Sequence, residues 1–184
     1  MSLGPDLSLP PACPALGQYG NYNWDDASFA LYTLIDMPAS ELEALACTLD
    51  AQRRQNQDGE GSPLVRVAPA HAFSGKSLKD IVSNHVAMDK DISPRDDEAT
   101  VGGDLHWYPT AFVVVTTSTW ESEGLLFVYC VDDEDEAEGC PMDKFFFCVE
   151  DAHFMLSSIS FGDESCAESK TTYAIGEGGQ HDDG

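Results

Sequence analysis

His106 lies in the stretch Gly102-Gly103-Asp104-Leu105-His106-Trp107-Tyr108-Pro109, where groups suited to proton transfer meet groups suited to enclosing a ligand. His71, His85, His106, His153 and His181 titrate nearest neutrality of all the side chains here, so acid or base chemistry would recruit one of them. His106 is the best placed. Asp104 can orient its imidazole, the paired glycines permit close approach, and Trp107 and Tyr108 supply an apolar wall. Asp36 is a third candidate because it ends an apolar run, and open α/β sheets place their sites at strand ends. No nucleophile completes the set: Ser, Cys and Thr lack an elbow motif, and neither GxxxxGK[ST] nor GxGxxG occurs. A small enzyme with an acid/base site on His106, Asp104 and Asp36 is therefore the alternative expectation, not the leading one.

Charge supports a different expectation. The chain carries 33 acidic against 9 basic residues, a formal net charge of -24. Such a surface repels nucleic acid and anionic membranes, and its few basic residues form no patch that could displace counterions from phosphates. A basic protein partner fits better. The densest charge is Asp132, Asp133, Glu134, Asp135, Glu136 and Glu138, which joins two apolar runs. The run lacks the alternating ligands, the glycine and the closing glutamate of an EF-hand, so it is expected to dock a Lys- or Arg-rich partner and not a metal. Cys13, Cys47, Cys130, Cys140, Cys148 and Cys166 show neither the CxxC spacing of zinc sites nor the close pairing of a secreted disulfide framework. They read as reduced structural thiols. The leading expectation is a non-catalytic interaction or inhibitory module that needs no cofactor and binds a basic protein.

These groups must be carried by a folded unit, and 42% hydrophobic residues suffice for one core. The opening MSLGPDLSLPPACP has no basic n-region or long apolar h-region, and no apolar run reaches the length of a membrane span, so a cytoplasmic location is expected. Residues 1–24 read as a tail draped over the domain and anchored by Trp24, residues 25–169 as a single α/β domain, and residues 170–184 as a flexible acidic tail.

Within the domain, SFALYTLI at 28–35 predicts a buried strand. Ser40 and Glu43 have capping-box spacing, which predicts a helix from Ser40 with Leu42, Leu45, Ala46 and Leu49 inward and Glu41, Glu43 and Asp50 off that stripe. LVRVA at 64–68 completes a βαβ crossover. A second helix from Ser77 turns Leu78, Ile81, Val82, His85 and Val86 inward. TAFVVVTT at 110–117 reads as the central strand beside the first. LLFVYCV at 125–131 and KFFFCVE at 144–150 read as an antiparallel hairpin, with Val131 opposite Lys144, Cys130 opposite Phe145 and Cys148 opposite Phe127. A short helix near 151–157 follows. The fold expected is α/β, with a central mixed sheet of about five strands.

The order strand, helix, strand, helix, strand, strand, strand, helix resembles the thioredoxin architecture, and Tyr108-Pro109-Thr110 stands where that family enters its third strand. The resemblance implies the fold but not the redox chemistry, because MPASELEA replaces the cysteine pair at the first helix. From about Ala30 to Ala167 the chain also resembles an uncharacterised family of small acidic α/β domains known mainly from actinobacteria. The matching segments are LYTLIDMPASELEALAC, FVVVTTSTW, LLFVYCVDD, KFFFCVED and MLSSISFGDES. That family tends to place an acidic residue after the central strand, where this chain has Thr116 and Thr117.

Overall fold

Every side chain from Ser28 to Thr33 is buried, as happens in a strand covered on both faces. The computed structural model describes residues 4–20, 22–56, 61–88, 104–131 and 139–176. The fully buried strand is β1 (Ser28–Thr33), flanked on its two sides by β2 (Val65–Ala72) and β3 (Trp107–Val115), both parallel to it. β4 (Leu125–Cys130) and β5 (Met142–Phe147) continue the sheet antiparallel. The result is an open mixed sheet of five strands in the order β2-β1-β3-β4-β5. The α/β architecture expected from the sequence is the one observed.

Alternation along each strand sorts the core into two layers. Phe29, Leu31, Val113 and Phe127 face one side, where they meet Leu42, Leu45, Ala46 and Leu49 of α1 (Ala39–Asn56) and Met155, Leu156 and Ile159 of α4 (Ala152–Phe161). Ala30, Tyr32, Phe112, Val114, Leu126 and Val128 face the other, against Leu78, Ile81 and Val82 of α2 (Leu78–Ala87). Each fully buried Leu or Phe in these layers contributes about 2 kcal/mol of hydrophobic stabilisation. Among the described residues, no helix is long and apolar enough to cross a membrane.

Three local expectations are corrected. Helix α1 begins at Ala39, not Ser40, because the Pro38 carbonyl accepts the amide of Leu42 at 3.1 Å and so takes the N-cap role, leaving Ser40 inside the first turn. Asp50 lies on the inward stripe: it is 1% exposed and accepts the Leu64 amide at 2.7 Å, which ties the end of α1 to the start of β2. The hairpin register is displaced, with Val128 opposite Lys144, Phe127 opposite Phe145 and Cys130 opposite Met142. Cys148 falls beyond β5, before a 3₁₀ turn at Val149–Asp151. The second helix does start where expected, and there the structure shows a complete capping box between Ser77 and Asp80.

A short helix α3 (Trp120–Glu123) leads into β4 through Gly124, which has a φ of 86° and where an added Cβ would lie 2.6 Å from the Phe147 carbonyl oxygen. Helix α5 (Cys166–Tyr173) runs past the expected domain end at residue 169. The N-terminal segment lies along the domain as a strap. Its Asp6 carbonyl accepts the Leu78 amide at 2.9 Å, its Pro11 carbonyl accepts the Met142 amide at 3.2 Å, and Leu16 and Tyr19 of its 3₁₀ turn are buried. At the other end of β5, the Ile175 amide donates to the Phe146 carbonyl at 2.8 Å.

Candidate functional site

The strap, β3, the end of the hairpin and the α4–α5 turn enclose a cavity of about 1080 Å³. Its aromatic wall is built from the sheet outward. Tyr108 stacks on Phe29 with ring centroids 4.4 Å apart, Trp24 meets Tyr108 edge-on at 4.9 Å, and the Trp24 indole donates to the Tyr19 carbonyl at 2.9 Å. Trp24 thus anchors the strap. The opposite wall comes from two helix ends. Gly162 closes α4 in the left-handed conformation with φ 75°, and Ser165 opens α5, its hydroxyl accepting the Glu168 amide. Asp163 and Glu164 are carried between them.

The carboxylates of that wall differ in their commitments. Glu168 accepts the Ser165 amide at 2.8 Å and its hydroxyl at 2.9 Å, which hold its carboxyl below the usual range. Asp163 and Glu164 line the cavity, Glu164 also accepting the Thr172 hydroxyl at 3.3 Å. Val131, Gly139, Cys140 and Pro141 complete the enclosure from the hairpin. Among the described residues no histidine lines this cavity, and its chemistry is that of an apolar hollow rimmed by acids, which suits a group with an aliphatic stem and a cationic head.

No family model, curated protein or solved structure matches the chain.

The three acid/base candidates are not assembled. His106 is exposed, and its main-chain carbonyl, not its ring, makes the contacts: it accepts the Ser28 amide at 3.1 Å and an Arg66 Nη at 2.5 Å. Asp104 accepts the Asn23 amide group at 2.8 Å, and among the described residues no hydrogen bond joins it to His106. Asp36 stands at the far end of the sheet. β1 and β3 run parallel with Ser28 opposite Trp107, so Asp36 follows the opposite end of β1, roughly 25 Å away by strand rise. It lines a separate cleft with Asp6, Lys76 and Asp80. Asp132, Asp133, Glu134, Asp135, Glu136 and Glu138 lie outside the described residues. Among the described residues, no group of three His, Cys, Asp or Glu side chains could hold a metal ion.

Two polar constellations were not foreseen. His85, fully buried, accepts the Tyr32 hydroxyl through Nδ1 at 2.7 Å, while Nε2 lies 3.1 Å from the carbonyls of Tyr108 and Pro109. Two carbonyls can only accept, so Nε2 carries a proton, and full burial favours the neutral ring. Burial pushes the His85 pKa down to about 4, against the pull of those carbonyls. Arg66 forms the second constellation: its Nε donates to Ser28 Oγ at 2.9 Å and its guanidinium lies 4.2 Å over the Trp107 ring. Ser28 Oγ in turn donates to the Pro63 carbonyl. This clamp joins the starts of β1, β2 and β3. An apolar periodicity places His85 inward, but nothing local in the sequence identifies its partners.

Proposed function

We propose that this protein is a non-catalytic interaction module that takes a Lys- or Arg-rich segment of a protein partner at the cavity between the strap and the α4–α5 turn. One observation supports the reading above others. Val131 and Gly139, which bracket the acidic run 132–138 in sequence, line the same cavity as Asp163 and Glu164. The aromatic wall would cover the aliphatic stem of a basic side chain, the rim carboxylates would meet its charge, and the acidic run would steer the approach. The net charge of -24 disfavours nucleic acid and anionic membrane as partners, and a cytoplasmic location goes with this reading. The acid/base alternative gains no support from the placement of His106, Asp104 and Asp36.

A lysine-rich peptide titrated by fluorescence anisotropy tests this. Neutralising Asp163 and Glu164 together, as D163N/E164Q, should weaken binding by about tenfold or more, and raised salt should weaken the wild type. The control E41Q/E43Q removes the same amount of charge from exposed positions of α1 and should leave affinity within about twofold. Equal losses in both variants would reduce the effect to bulk charge and reject the cavity as the site.

A further inference from the structure

The antiparallel bridge between Ala12 and Pro141 places Cys13 opposite Cys140, and the Cys13 amide donates to the Cys140 carbonyl at 3.0 Å. Directly opposed residues of an antiparallel pair have Cα atoms about 4.5–5.5 Å apart, inside the ~4.4–6.8 Å that a disulfide tolerates. The Cys140 sulfur lies against the 3₁₀ turn whose N-cap residue is Cys13. A Cβ built on Gly17, within that turn, would lie 3.3 Å from Cys140 Sγ, and the Cys13 carbonyl accepts the Leu16 amide at 3.1 Å. Cys140 also has a φ of 52°, a left-handed backbone uncommon for a residue that carries a side chain. Both residues are partly exposed, and Cys140 lines the cavity, which gives a small oxidant access. Cys130 and Cys166 are buried, and exposed Cys47 lines a different cleft, with Arg66 and Trp107.

We propose that Cys13 and Cys140 form a reversible intramolecular disulfide that staples the strap to the end of the β4–β5 connection. With glutathione disulfide as oxidant, the Cys140 thiol releases its proton to solvent and the thiolate attacks one glutathione sulfur, expelling the first glutathione thiolate. Cys13 then loses its proton, attacks the Cys140 sulfur of the mixed disulfide and expels the second. Two protein thiols lose two electrons, and one glutathione disulfide becomes two glutathione thiols. Burial raises the Cys13 thiol pKa above its ordinary value, which suits Cys13 to the second, resolving step. The staple would fix one wall of the cavity, and it does not depend on which partner that cavity takes.

Incubating the reduced full-length protein with glutathione disulfide, then digesting it without reductant for mass spectrometry, tests the pair. The expected product is a monomer lighter by about 2 Da, with Cys13 and Cys140 peptides linked, a thermal midpoint higher by roughly 5–10 °C, and full reversal by dithiothreitol. C13S and C140S should each abolish the product, and C47S should leave it intact. Stable glutathionylation without a bridge, or linkage of either residue to Cys130, Cys148 or Cys166, would overturn the proposal. The mapping is made on wild-type protein, so it decides the matter even if a variant fails to fold.

Discussion

His85 and His106 meet the same strand from opposite circumstances. His85 reaches β3 from α2, is fully buried, and commits both ring nitrogens to Tyr32 and the carbonyls of Tyr108 and Pro109. His106 directly precedes β3, is exposed, and among the described residues is held by hydrogen bonds to its main-chain carbonyl. A composition-based search for chemistry favours the second, yet the histidine with the displaced protonation equilibrium is the first, where no solvent or substrate reaches it. In this molecule a perturbed pKa marks architecture. The open, acid-rimmed hollow lies elsewhere, and no described histidine lines it.

That contrast can be broken by experiment. The largest effect is expected from His85→Ala, which leaves a cavity and strands the Tyr32 hydroxyl: about 4 kcal/mol lost in urea denaturation at neutral pH. A loss below 1 kcal/mol would show that the interior network has little structural weight. The same network gives a pH signature. His85 has a folded pKa of about 4 against an ordinary value of 6.5, so the folded state binds fewer protons between those limits. Its stabilisation is complete above 6.5 and is lost as pH falls toward 4, at up to about 1.4 kcal/mol per pH unit. Protonation of the surface carboxylates also changes stability, so the readout is the difference between wild type and His85→Leu. A pH-independent difference would mean that the ring titrates normally. The smallest effect sharpens the surface side: D163N/E164Q should change unfolding free energy by no more than about 0.5 kcal/mol while weakening peptide binding. A large stability loss would make those acids structural instead.

Much of this architecture was legible because it is periodic. The inward residues of α1 and α2 and the uninterrupted apolar runs of β1, β3 and β4 follow from spacing alone, and the Ser77–Asp80 cap lies at the predicted start of α2. Asp50 shows where residue type misled: it follows Ala46 by four, so spacing puts it on the buried stripe, and only its charge argued otherwise. Its amide partner, Leu64, lies beyond the loop and is set by the crossover, not by local sequence. The hairpin register escaped because β5 begins where the strap pairs with it, and a long connection leaves register unspecified by turn geometry. The cavity escaped for a related reason. Trp24, Tyr108, Cys140 and Asp163 come from four distant segments, and only the three-dimensional return of the strap brings them to one hollow.

The contacts of Pro11 and Ile175 with β5 carry one more implication. Segments near the two ends of the chain occupy the two ends of the same sheet margin, and Pro69 interrupts donor capacity within β2 at the opposite margin. A strand pairing along the β5 margin would first have to peel away these flaps, so trimming either one is expected to expose an edge that favours stacking.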